Sequence, residues 1–255
     1  MRRIAMLAVF TTLALACGGS SSNNNNAPSF NYGSPTNPSA AQQSAEASFE
    51  SSLQSGFTAT SDSTGNTGVG VASLPFSLAG SLFSGSGLAS GPFASRSYLM
   101  LAPHAFDPAC ISETSTSVTY TNCTDTSGGE TVTLNGSLSW TSSSATWDLK
   151  ATGTGSNGSA TFEAKGSFTI GSTTFVGSAT YHLTGSANGQ SVDVTLGMNL
   201  NLTFTESPFC ITGGDAEFTL VWTTPAPTAS QPDRAVKFTW PGGCGNYQIQ
   251  VAQSP

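Results

Sequence analysis

From about Ser115 onward, apolar and polar residues alternate along most of the chain. Val132, Leu134, Gly136, Leu138 and Trp140 fall on one side, and Thr131, Thr133, Asn135, Ser137 and Ser139 on the other. A period of two is the mark of a strand with one buried face. Ala145, Trp147, Leu149 and Ala151 repeat it, followed by Ala160, Phe162, Ala164, Gly166, Phe168 and Ile170, and then by Phe175, Gly177, Ala179, Tyr181 and Leu183. The longest row runs Val192, Val194, Leu196, Met198, Leu200, Leu202 and Phe204, and shorter rows lie at 218–222, 236–240 and 247–251. Asn157-Gly158 and Asn188-Gly189 separate rows in the way hairpin turns do, because a type I′ turn needs positive φ at both central positions. The pattern predicts an all-β fold, an antiparallel meander of about nine strands, whose apolar face must be hidden from water. Curling into a full or partial barrel is the favoured solution. A two-sheet sandwich and an outer-membrane barrel are the others, and the Gly and Ala in the rows and the absence of a terminal aromatic count against the last.

Upstream the pattern changes. Ser39-Ala40-Ala41-Gln42 has the form of a capping box, and Ala41, Ala45, Phe49 and Leu53 follow at four-residue spacing before Gly56, which predicts a helix over Ala40 to Ser55. From Ser63 to Ser95 no charge occurs, and Val69, Val71, Leu74, Phe76, Leu78, Leu82, Phe83, Leu88 and Phe93 are scattered among Gly and Ser. Pro75 and the many Ser and Gly interrupt every apolar run well short of the ~20 residues of a membrane helix, so an irregular apolar strap packed on the sheet is expected.

Met1-Arg2-Arg3 precedes a largely apolar stretch of thirteen residues, Ile4 to Ala16, the layout of a secretion signal. The junction Leu13-Ala14-Leu15-Ala16-Cys17-Gly18-Gly19-Ser20-Ser21 resembles the signal of bacterial lipoproteins, with a small residue, a Cys and then a Gly/Ser-rich tether; its Ala14 stands where that signal prefers Leu. The CGGSS run and the Ser/Thr/Gly style are similar to lipoproteins of the myxobacteria. The resemblance implies a signal peptide over 1–16, acylation of Cys17, and a lipid-anchored protein of the bacterial outer membrane, facing the periplasm or the surface. It covers only the first 20 or so residues and implies nothing about the folded domain. Residues 17–38 read as the lipidated Cys and a flexible tether, with four consecutive Asn and three Pro. Residues 39–101 read as helix and strap, and 102–255 as the β domain.

Composition sharpens this. Ser, Thr and Gly number 40, 34 and 28 of 255 residues, while only 8% is charged, which suits strands and turns and excludes a charged helical bundle. The net charge is -7 and becomes about -9 once Arg2 and Arg3 are removed. A nucleic-acid partner is therefore excluded on electrostatic grounds, and the membrane partner is reached through acyl chains.

Five cysteines occur. With Cys17 acylated, Cys110, Cys123, Cys210 and Cys244 make an even set in an oxidising compartment, which argues for two disulfides. Four cysteines allow three pairings. Cys110 with Cys123 closes a short loop and leaves Cys210 with Cys244.

The catalytic inventory is thin. No G-x-S-x-G occurs, the Gly-rich run 80–91 has no P-loop lysine, and the only histidines, His104 and His182, are far apart in sequence. His182 reads as a solvated residue of the polar face, His104-Ala105-Phe106-Asp107 as a turn, and Glu163 and Lys165 as solubilising charges. Asp62 to Asn66 and Asp125 to Glu130 have only a faint likeness to calcium loops. No enzyme activity, metal or cofactor is expected. What stands out is small residues in apolar rows, above all Ala164, Gly166, Gly177 and Ala179. These are expected to face the strap or helix; a lipocalin-like cup carrying a lipid or other apolar small molecule is the alternative. A structural or interaction role with an envelope protein is the reading the sequence favours, without naming the partner.

Overall fold

In a computed structural model, the described residues are 30–38, five positions within 43–54, 106–127, 129–156, 158–187, 189–226 and 233–253. The predicted signal peptide, the apolar strap over 63–95 and most of the helix over 40–55 lie outside them.

Ten strands follow one another: β1 (Ile111–Glu113), β2 (Ser117–Ser127), β3 (Glu130–Trp140), β4 (Ser144–Gly155), β5 (Gly158–Ile170), β6 (Thr174–Ala187), β7 (Gln190–Glu206), β8 (Phe209–Thr224), β9 (Arg234–Trp240) and β10 (Gln248–Gln253). They form one sheet in sequence order, each strand antiparallel to its neighbours. The meander is thus as the alternation predicts, with two differences. The extra strand is β1, three residues with no legible alternation, paired to 118–120 of β2. The sheet also does not close into a barrel, nor does it split into a sandwich, because β1 and β10 are end strands that do not pair with each other. The physical reason is on both edges. β1 is too short to offer a ladder, and the outer edge of β10 is already taken by residues 33–36.

The turns are set by chain chemistry. Gly155 pairs with Gly158 and Ala187 with Gln190, so each hairpin loop has two residues. Gly189 has φ +77°, the left-handed conformation that such a loop demands and that Gly reaches without steric cost.

The alternating rows form the core. Leu134, Trp147, Phe168, Phe175, Tyr181, Leu196, Met198, Leu200, Leu202, Phe218 and Ile249 belong to one buried cluster, which Phe106 joins from the segment before β1. The register shifts in β2, as it does twice between β7 and β8. A register shift between Tyr120 and Cys123 puts both side chains in the core, and Asn122 within it has φ +53° and donates its N–H to Asn135 Oδ1 at 2.7 Å. Such a bulge re-aims the strand by one residue.

Residues 30–38, expected to be free tether, lie on the sheet instead. Gly33 N–H donates to Val251 O at 3.0 Å, Thr36 N–H to Ile249 O at 2.9 Å, and Ile249 N–H to Thr36 O at 3.1 Å. Phe30 packs with Ala235 and Ala252 in a second buried cluster that Tyr32 and Val221 adjoin. Two aromatics among polar neighbours are enough, since the edge of β10 supplies backbone partners that the sequence alone does not display.

Candidate functional site

The four small residues singled out by sequence come together. Ala164 and Gly166 on β5 and Gly177 and Ala179 on β6 share the apolar face, with Gly166 opposite Ala179. Ala164 and Ala179 are buried. Their neighbours explain the two glycines. Gly166 stands opposite Trp147 on β4, and Gly177 opposite Phe168 on β5. A Cβ added at Gly166 would run into Trp147 Cζ2 and the Ser178 carbonyl, and one at Gly177 into Phe168 Cδ1 and the Ser167 carbonyl. The rings continue as a chain, Trp147 to Phe168 at 5.0 Å between centroids and Phe168 to Phe175 at 4.8 Å. Tilted pairs at such distances add about 0.5–1.5 kcal/mol each beyond their buried area. The space that a Cβ at Gly166 or Gly177 would need is therefore taken by the sheet's own aromatics, while the strap expected against these residues lies outside the described residues.

Both cysteine pairs are joined, Cys110 to Cys123 with Cα atoms 5.1 Å apart and Cys210 to Cys244 with Cα atoms 5.6 Å apart. The first ties a single 3₁₀ turn, Pro108–Cys110, to the core at Cys123. Asp107 caps that turn by accepting the Ala109 N–H at 2.9 Å. His104 itself lies outside the described residues. The second disulfide fastens the start of β8 to the β9–β10 loop. Nearby, Glu50 Oε1 accepts the Ile211 N–H at 2.9 Å, which brings the upstream segment to β8.

The polar face carries a row of charges that sequence reading treated singly. Lys150 Nζ meets Glu163 Oε1 at 2.7 Å and Lys165 Nζ meets Asp148 Oδ2 at 2.7 Å, each pair crossing β4 to β5. His182 on β6 extends the row, with Nε2 2.9 Å from Asp193 Oδ1 and Nδ1 3.9 Å from Glu163 Oε2. Strand register brings Lys150, Glu163 and His182 side by side, and without register their spacing in sequence says nothing. The hydrogen bond from Lys150 holds the Glu163 carboxyl below its ordinary value, and the Asp148 carboxylate raises the Lys165 ammonium. At this exposure the Lys150–Glu163 pair is worth about 0–1 kcal/mol. Among the described residues no group of three or more His, Cys, Asp or Glu is placed to hold a metal ion.

The docked leader makes the most distinctive polar contact. The Tyr32 hydroxyl donates to Glu217 Oε1 on β8, and Gln250 Nε2 donates to Gly33 O at 3.0 Å. Burial, and then the hydrogen bond with Glu217 and its charge, push the Tyr32 phenol well above its usual range, so it keeps its proton and remains a donor. Cys17, the predicted acylation site, lies outside the described residues. No helix among those described is long and apolar enough to cross a membrane.

No family model, no curated protein and no solved structure matches this chain.

Proposed function

We propose that the chain is a lipid-anchored, disulfide-stapled β-domain of the bacterial outer membrane with a structural or interaction role. The observation that carries this reading is the cysteine pairing. Cys110, Cys123, Cys210 and Cys244 are consumed by two disulfides, which leaves Cys17, in the setting Leu15-Ala16-Cys17-Gly18-Gly19, as the fifth. Disulfides suit a compartment outside the cytoplasm. A Cys at the end of a short apolar signal, before a Gly/Ser run, is chemically suited to thioether acylation, and two or more acyl chains hold a protein at a bilayer stably. The contacts of Trp147 with Gly166 and of Phe168 with Gly177 favour a self-filled sheet over the carrier alternative.

The test is Cys17→Ser in a Gram-negative host, followed by membrane fractionation. The variant should move to the soluble fraction. Membrane retention equal to that of the unaltered chain would overturn the proposal.

A further inference from the structure

We infer that the docked leader guards the edge of β10, and that this edge, once the leader is lifted, takes the β10 edge of a second copy of the chain across a twofold axis at Val251. The inference goes beyond the lipid-anchor reading and does not depend on it. An open meander has two edges, and each carries N–H and C=O groups that can template another chain. The two are defended unequally. β1 has three residues, carries Glu113 and follows the disulfide-pinned turn Pro108–Cys110, so it offers little ladder. β10 contains no charged residue and no Pro, and it pairs with β9 without a register shift. Its defence among the described residues is the leader, where Gly33 bonds Val251, Thr36 bonds Ile249, and Gln250 Nε2 donates to Gly33 O. Thr36 turns its N–H and C=O inward to Ile249, so the neighbouring position that faces outward is Pro35, which has no N–H to offer.

The guard can leave without opening the core. Phe30 packs with Ala235 and Ala252 in the smaller cluster, and the Tyr32 hydroxyl bonds Glu217, a residue of the polar face. Neither aromatic belongs to the main cluster on the other face.

Self-complementarity names the occupant. Ile249 exchanges both backbone groups with Thr36, so by alternation the backbone of residues 249, 251 and 253 faces outward. An axis normal to the sheet at Val251 sets 251 opposite its own copy and 249 opposite 253, so the same three residues serve both chains. That axis also keeps the two apolar faces on one side. Ile249, part of the main core, and Val251, packed against it, then continue the partner's apolar row instead of ending at water.

The experiment compares the sedimenting mass of the full chain, solubilised in detergent, with that of a Phe30→Ser, Thr36→Pro variant over a dilution series. The variant loses the leader's buried ring and the Thr36 N–H. The unaltered chain should sediment as one copy, and the mass of the variant should double as concentration rises. Adding Ala252→Lys to the variant should restore the single copy, because the proposed register puts the two lysines on the polar face as diagonal neighbours about 7–8 Å apart. A variant that keeps a cooperative urea transition and stays single overturns the inference. So does a mass that climbs past two copies, a dimer unmoved by Ala252→Lys, or an unaltered chain that is already dimeric. If the double variant does not fold, Tyr32→Phe decides, since it loses only the Glu217 bond. Its dimer fraction should exceed that of the unaltered chain at equal concentration, and equality overturns the guard. Membrane partition enters none of these readings, so failure here leaves the anchor untouched.

Discussion

The indole of Trp147 lies where a side chain at Gly166 would be, and the two residues face each other across β4 and β5. Phe168 stands to Gly177 in the same relation one strand further on. The glycines are a packing requirement imposed by rings on the neighbouring strand. Gly177→Leu should therefore overpack the sheet and lower unfolding stability by about 1–3 kcal/mol in urea titrations. A substitution without effect would mean that the site has room, as a ligand cup requires.

Removing the staples should cost more. In the loop-entropy picture the 13-residue separation of Cys110 and Cys123 is worth about 3 kcal/mol and the 34-residue separation of Cys210 and Cys244 about 4 kcal/mol. Cys210→Ser with Cys244→Ser should lower the melting temperature more than the Cys110, Cys123 double variant does. Peptide mapping without reduction checks the pairing itself; a Cys123 to Cys244 peptide would contradict it.

The charge row should be weak and pH-dependent in one direction. The folded-state value of Glu163 is depressed, so its contribution is present above the unfolded carboxylate value and fades as pH falls through the depressed one. Glu163→Gln should destabilise by less than about 1 kcal/mol at neutral pH, and by still less in high salt. Below the folded-state value the variant and the unaltered chain should melt alike. A gap that widens in acid would show that Lys150 is not what holds the carboxylate.

Much of this sheet was legible because one face is buried and the other is not. The row from Val192 to Phe204 gives β7 its buried and exposed positions in order, since a slip of one residue would expose every apolar side chain. Where the chain departs from alternation the reading weakens. Nothing in Tyr120 to Cys123 announces a bulge, and Ile111–Glu113 is too short to show a period. The small residues at Gly166 and Gly177 are legible in sequence, but the rings of Trp147 and Phe168 that crowd them are not, because what lies beside a strand glycine depends on which residue is registered opposite, and register is a long-range fact. The leader was missed for a related reason. Phe30 and Tyr32 gain their burial from Ala235, Ala252 and Val221, which sit in the polar rows of strands some two hundred residues away in sequence, roughly the distance spanned by the Tyr32 to Glu217 bond at 185.

The anchor is tested most directly by the intact mass of the N-terminal peptide of protein recovered from the membrane of a Gram-negative host. The account predicts a chain beginning at Cys17, heavier than its amino acids by a diacylglyceryl group on sulfur and an acyl group on the new amino terminus. A mature chain whose Cys17 carries a free thiol and a free amine, or one still joined to residues 1–16, would contradict it.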